Sequence, residues 1–152
     1  MSVTLRQLAE QAAISVLDHL ELEAHIPVLD GLQAQGDLIV IPVRYADRVS
    51  VPAYATWRAV PASGIELLRG AAGGNIHSLV ADPGAGTWTT EVMDRTGLAI
   101  GMLRASAPAY LIHAEHGATG IAPGTYLIRR QRQATTTHNW GPGFRSVELV
   151  AD

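Results

Sequence analysis

Four histidines lie in the part of the chain that is rich in β-branched residues, and three of them suit metal binding. His113 and His116 flank Glu115 in the segment HAEH, and His77 lies in an earlier predicted strand. Three imidazoles with a carboxylate make an open metal site. We therefore expect a divalent transition metal, zinc first, bound by His77, His113 and His116. Glu115 is expected to be a fourth ligand or the catalytic acid–base group, with a metal-bound water as the reacting species.

This metal site forms only if distant points of the chain meet. On a regular strand His113 and His116 would point to opposite faces, so they converge only if the strand ends at His113 and the chain turns. Gly117 and Gly120 favour such a turn. His77 must also lie on a neighbouring strand, and the sequence alone leaves that open. The alternative is that these histidines are ordinary polar residues at strand ends, hydrogen-bonded to backbone or water.

Several other chemistries are excluded because motif residues are missing. The tripeptide HAE at 113–115 matches the H-x-E half of the zinc deaminase signature, but the chain has no cysteine to supply the rest. HExxH, a Walker-type loop and a serine nucleophile elbow are also missing. His138 is expected to be a solvated loop residue, and His19 and His25 are expected to be structural or exposed.

The densest positive charge follows the histidine segment, at Arg129, Arg130 and Arg132. Guanidinium groups suit phosphate oxygens, so the predicted strand Arg129–Arg132 is a candidate nucleic-acid contact. The net charge of −3 gives no overall attraction to nucleic acid, and aromatic residues, which stack on bases, make up only 5% of the chain. We therefore favour a solvated or salt-bridged strand face, and no nucleic-acid partner is expected.

Strands must hold these residues, and the sequence from residue 35 onward is typical of strands. Short β-branched runs recur, divided by Gly, Pro and Asn, with no helical pattern between them to serve as a crossover. The pattern predicts a mainly β domain over residues 35–152, either an antiparallel barrel, cupin-like in outline, or a two-sheet sandwich. The predicted strands are 38–44, 56–60, 65–69, 76–81, 87–92, 98–103, 107–113, 125–131 and 145–150.

Residues 1–34 differ from the rest and are predicted to form a helical arm. Apolar residues recur at helical spacing between residues 4 and 22, Thr4 is a suitable N-cap, and further helical turns are predicted over 26–32. The arm either packs on the β domain as a lid or docks on a partner. In the second case the chain is a non-enzymatic assembly or adaptor protein of a phage or bacterial particle, self-associating or binding another protein through residues 1–34.

Length and composition fit a single domain, and the lack of signal and membrane segments predicts a location in the cytoplasm or in a particle that a cytoplasmic product joins. The chain has 152 residues, of which 47% are hydrophobic and 16% are charged, enough for one core and too apolar for a disordered chain. The N-terminus lacks the apolar run of a signal peptide, and no window has the length of apolar sequence that a membrane-spanning helix needs. No membrane partner is expected.

Several short motifs, in their order along the chain, resemble a family of small, uncharacterised bacterial and phage proteins. The matching pieces are QGD at 35–37, IPV at 41–43, GNIH at 74–77, HAEH at 113–116, PGTY at 123–126, RQR at 130–132 and the terminal VAD. The family pattern has a second histidine where this chain has Asn75, and Glu-Tyr where it has Gln133 and Ala134. The resemblance covers residues 35–152. It implies that the three histidines and Glu115 form one constellation, and it implies no activity.

Overall fold

A computed structural model describes residues 2–17, 20–69, 76–136 and 145–149. Within these ranges the chain forms one α-helix, α1 (Leu5–Ala12), one short 3-10 helix (Val43–Tyr45) and fifteen strands. The strands are β1 (Val28–Leu29), β2 (Gln33–Gln35), β3 (Leu38–Pro42), β4 (Val49–Ser50), β5 (Arg58–Ala59), β6 (Ile65–Arg69), β7 (Ile76–Ala81), β8 (Gly86–Thr89), β9 (Met93–Asp94), β10 (Ala99–Ala105), β11 (Ala109–His113), β12 (Gly117–Ile121), β13 (Gly124–Arg130), β14 (Arg132–Thr136) and β15 (Arg145–Leu149).

Most strands belong to two sheets that face each other as a sandwich. One sheet has five strands in the order β1-β12-β11-β7-β6, and the other has six in the order β2-β3-β13-β10-β8-β5. Neighbours in these sheets are antiparallel, except that β1 runs parallel to β12. The predicted mainly β fold and two-sheet sandwich are confirmed. The barrel alternative, with its cupin-like outline, is wrong because each of these sheets, in the part of the chain described, ends in edge strands.

The main core lies between the two sheets and is built from alternate residues of each strand. On β11, Ala109 and Leu111 pack into this core, whereas Tyr110 and Ile112 pack in a separate cluster on the outer face, because successive side chains of a strand alternate. The facing sheet contributes buried apolar side chains such as Leu38, Leu103 and Ile128. The same alternation directs His113, the last residue of β11, inward.

The helix packs on the outer face of the five-stranded sheet. Thr4 caps α1 and forms a capping box with Gln7, and the buried face of the helix meets the outward side chains of β7 and β11 in one cluster: Leu5, Leu8, Ala9, Val80, Tyr110 and Ile112. The arm therefore covers its own sheet, as the lid interpretation predicts, and docking on a partner stays a prediction. No helix in the described ranges is long and apolar enough to cross a membrane.

The arm is less helical than the predicted span of residues 4–22. The helix α1 ends at Ala12, because Ala13 adopts a left-handed conformation (φ 54°) and its N–H bonds back to carbonyls of the last turn. The chain then has no regular structure through Leu17, whose N–H donates to the carbonyl oxygen of Ala114 at 2.8 Å. This contact places the end of the arm against the HAEH segment.

The helical turns predicted over residues 26–32 are also wrong. Residues 28–29 instead form β1, which extends the five-stranded sheet by pairing with β12. The close approach depends on Gly120 of β12, since a Cβ at that position would lie 2.6 Å from the carbonyl oxygen of Pro27. Residues 28–29 thus form hydrogen bonds to β12 instead of the local hydrogen bonds that a helix would have.

Candidate functional site

His77 and His113 are directly opposite each other on neighbouring strands. They pair across β7 and β11 in the antiparallel register, and both share the inward face with the core residues Leu79 and Leu111. Their side chains are almost fully buried, 1% exposed for His77 and 0% for His113, and their ring centroids are 4.4 Å apart. The two imidazoles therefore close one end of the core between the sheets.

His116 joins them because the chain turns immediately after His113. Residues 114–116 form the turn, and the chain enters β12 at Gly117, which has a φ of 81° that favours glycine. The His116 ring lies 4.4 Å from that of His113 and 6.3 Å from that of His77, and it is exposed at the end of the stack. The structure thus brings together His77, His113 and His116, hereafter the histidine cluster.

Two residues that sequence reasoning had not assigned to the site anchor His77. Gln35 ends β2, and Asp37 lies in the two-residue turn that joins β2 to β3, next to Gly36 (φ 57°). Gln35 Oε1 lies 3.0 Å from His77 Nδ1, and Asp37 Oδ1 lies 2.9 Å from His77 Nε2. Gln35 and Asp37 are only 4% and 1% exposed. The hairpin of one sheet therefore binds both nitrogens of a histidine in the other sheet.

Gln35 fixes the position of one proton on His77. Its amide nitrogen donates to the carbonyl oxygens of Leu111 at 3.0 Å and Gly117 at 3.4 Å, so its amide oxygen faces His77 Nδ1. An amide oxygen only accepts hydrogen bonds, so Nδ1 carries a proton. The contact between His77 Nε2 and Asp37 holds a second proton, either on the imidazole as an ion pair or on the carboxyl group as a neutral pair.

His113 is held in the opposite tautomer by the turn that follows it. The backbone N–H groups of Glu115 and His116 both donate to His113 Nδ1 at 3.1 Å. A nitrogen that accepts two hydrogen bonds carries no proton, so the proton of this imidazole lies on Nε2. His113 is therefore neutral, and its Nε2–H is a donor rather than a lone pair.

The predicted zinc site needs imidazole nitrogens with free lone pairs, but contacts within the protein occupy most of these nitrogens. The Nδ1 of His77 and the Nδ1 of His113 are hydrogen-bonded, and the Nε2 of His77 lies 2.9 Å from Asp37 Oδ1. In the residues described, no group of three or more His, Asp or Glu side chains is arranged to hold a metal ion. Glu115 is exposed and contributes its backbone N–H. The roles of the three histidines as ligands and of Glu115 as fourth ligand or catalyst stay predictions.

The remaining predicted histidines do not join the cluster or lie outside the described residues. His25 is exposed, and its Nδ1 lies 2.9 Å from Ser2 Oγ. The predictions for His19 and His138, and the replacement at Asn75, fall outside the part of the chain that the structure describes.

The arginine cluster is partly used within the domain. Arg129 makes a two-pronged ion pair with Asp94, with Nε–Oδ2 and Nη2–Oδ1 distances of 3.1 and 3.0 Å. Burial raises the pKa of Asp94, but hydrogen bonds from Thr96 and Arg129 outweigh it, so the pKa lies below its ordinary value. This geometry agrees with the salt-bridged interpretation of the strand, and a nucleic-acid contact through Arg130 and Arg132 stays an untested alternative.

The histidine cluster lies in the part of the chain that matches a known protein family. Residues 34–131, more than half of the chain, match the family described as a domain of unknown function, DUF8820. The chain belongs to the DUF8820 family. The match includes Gln35, Asp37 and all three histidines of the cluster, and it begins after α1 and β1. No curated protein and no solved structure matches the chain. The match agrees with the predicted membership of a family of unknown function. The motifs that suggested that family and its bacterial or phage origin stay predictions.

Proposed function

We propose that the histidine cluster is the functional centre of this DUF8820 domain and that it is an acid–base site. His116, the exposed ring, is the catalytic residue that exchanges a proton with the substrate. The observation that carries the proposal is the occupation of nitrogens inside the stack, where His77 is bound on both sides and His113 accepts two amide N–H groups. Imidazole is the side chain whose ordinary proton exchange falls nearest neutral pH.

His113 supports this chemistry by orienting the turn that follows it. Its Nδ1 accepts the backbone N–H groups of Glu115 and His116, and these two hydrogen bonds hold the turn that carries the His116 ring. The His113 ring is fully buried, so it acts by positioning His116 rather than by contacting a substrate.

Gln35, Asp37 and His77 are positioning residues in this proposal. They are buried, they join the two sheets, and His77 lies against the ring of His113 at 4.4 Å. A buried imidazole and carboxyl group that share protons keep a fixed geometry because any displacement leaves polar groups unsatisfied in a medium of low dielectric constant.

Zinc binding is the second candidate, favoured by the convergence of three imidazoles within 6.3 Å. It requires His77 to release Gln35 or Asp37, and it requires the proton of His113 to move from Nε2 to Nδ1, with loss of two N–H donors from the turn. Zinc would then supply an activated water. Zinc binding is therefore coupled to rearrangement of the HAEH turn.

Long-range ¹H–¹⁵N spectra of the histidine side chains separate these two functions, because they report which nitrogen carries each proton. We expect the Nε2–H tautomer at His113 and a protonated Nδ1 at His77, with neither changed by one equivalent of zinc chloride. Zinc retained in stoichiometric amount after dialysis, with deprotonation of His113 Nε2, would instead establish the metal site.

Replacement of His116 tests its catalytic role. In a panel of hydrolysis and isomerisation substrates, any turnover by the wild type should fall about 10²–10⁴-fold in H116Q, the usual contribution of a general acid or base. H25Q, which removes an exposed histidine outside the cluster, should retain full turnover. Equal turnover by wild type and H116Q would contradict the proposal.

A further inference from the structure

The sandwich has a cavity at the edge where β5 and β6 lie. It encloses about 620 Å³ between β6 of the five-stranded sheet and β5, β8 and β10 of the other. Small-molecule sites commonly enclose about 300–1,000 Å³. We call it the open-edge cavity, and none of the histidine cluster lines it.

The inner wall of the open-edge cavity is apolar and aromatic. Ile65, Leu67 and Ile100 line it and are only partly buried, although they pack against the main core. Trp88 also lines it, and its indole lies against β10 at Gly101, where a Cβ would lie 2.3 Å from the indole Cζ2. The absence of a side chain at Gly101 therefore fixes an indole in the wall, which provides a rigid surface for an apolar group.

The rim carries one cation and two carboxylates, and they differ in their contacts. Glu91 accepts a hydrogen bond from the backbone N–H of Thr56, and Glu66 also has a contact of its own. The side chain of Arg58 is exposed and, within the described residues, makes no hydrogen bond or ion pair. Of the charged side chains described at the rim, Arg58 is therefore the one without a polar contact. Its planar guanidinium can donate two parallel hydrogen bonds to a carboxylate.

We propose that the open-edge cavity binds a small carboxylic acid with an aromatic or branched aliphatic body. The carboxylate pairs with Arg58, and the body lies on Trp88 and the partly buried core residues Ile65 and Ile100. This site is separate from the histidine cluster. It selects ligands that combine one negative charge with one apolar surface.

A binding experiment with 3-phenylpropionate tests the assignment. Titration into ¹⁵N-labelled protein should give saturable shifts of the Trp88 indole and the Ile65 amide, with a Kd on the order of 1 mM for a ligand of this size. The amide 3-phenylpropanamide, which has the same body without the charge, should bind at least about tenfold more weakly, as expected for loss of a charge-assisted hydrogen-bond pair.

Matched variants locate the contact. R58Q should weaken 3-phenylpropionate at least about tenfold, the usual scale for a charge-assisted pair, and R58K should recover part of the affinity. R95Q, which removes an exposed arginine outside the cavity, should bind as the wild type does. Shifts that do not saturate, equal binding of acid and amide, equal affinity of R58Q and R95Q, or shifts centred on the histidine cluster would each overturn the proposal.

Discussion

The histidine end and the open edge of this sandwich differ in how the core between the two sheets ends. At the histidine end, Gln35 and Asp37 of one sheet contact His77 of the other sheet. Four polar side chains are buried there at the limit of the core: Gln35, Asp37, His77 and His113. At the open edge, Trp88 and Ile65 line a cavity whose charged groups lie at its rim. The buried network at the histidine end holds its side chains in a fixed geometry. The cavity at the open edge instead favours binding and release of a small molecule.

The largest expected effect is loss of the Asp37 carboxyl group. D37A leaves His77 Nε2 without this buried partner, and removal of one member of a buried pair costs about 3–5 kcal/mol. Urea denaturation measures the change in the free energy of unfolding. D47A, at an exposed carboxylate, is the control and should differ from the wild type by less than about 0.5 kcal/mol. Similar values for the two variants would mean that the network does not stabilise this end.

A smaller effect is expected at the wall of the open-edge cavity. G101A places a Cβ 2.3 Å from the Trp88 ring and 2.5 Å from the carbonyl oxygen of Thr89, and overpacking of this kind costs about 1–3 kcal/mol. Thermal and urea denaturation measure it. G31A is the matched control, because a Cβ at Gly31 meets nothing within 4 Å. Equal stability of the two variants would show that the indole does not need Gly101.

The Asp94–Arg129 pair should give a pH-dependent effect of similar size. The folded-state pKa of Asp94 is lowered, so its contribution is present above the ordinary carboxyl pKa and is lost as the pH falls through the lowered value. D94N should therefore lose about 1.5–3 kcal/mol at pH 7, the scale of a hydrogen bond to a charged group. Denaturation at a series of pH values should show the difference from wild type shrinking in acid. A difference that is constant with pH would contradict the assignment.

The smallest expected effect on stability is at His116, the exposed end of the histidine cluster. H116A should change the free energy of unfolding by less than about 0.5 kcal/mol, as exposed positions usually do, whereas H113A removes a fully buried, hydrogen-bonded ring and should cost at least about 2 kcal/mol. A large loss of unfolding free energy in H116A would show that His116 is a structural residue of the network. That result would contradict its proposed role as the exposed catalytic group.

The sequence predicts the long strands well because their residues carry the signal locally. Residues 65–69 and 76–81 form strands at the predicted positions, and the turn after His113 follows from the glycine at 117. Strands of two residues such as β1, β4 and β9 escape prediction because pairing with distant strands, rather than any local periodicity, determines them. The arm is overpredicted as helix because its apolar residues meet the sheet individually beyond Ala13.

The candidate site is only partly predictable for a related reason. His77, His113 and His116 are recognisable by residue type, but their meeting depends on the register between β7 and β11, which one sequence does not reveal. Gln35 and Asp37 flank a glycine, a pattern typical of an exposed turn. Their burial follows from the way the β2–β3 hairpin reaches the other sheet, and the QGD motif of the family resemblance was the available signal.

The packing of α1 has a practical consequence for producing this protein. A shortened chain limited to the family match, residues 34–131, would lack α1 and β1 and would uncover Val80, Tyr110 and Ile112 on the outer face of the sheet. An uncovered apolar patch beside an unprotected strand edge promotes aggregation. Expression of this domain should therefore include α1 and β1, and an affinity tag should be placed where it does not disturb the Thr4 cap.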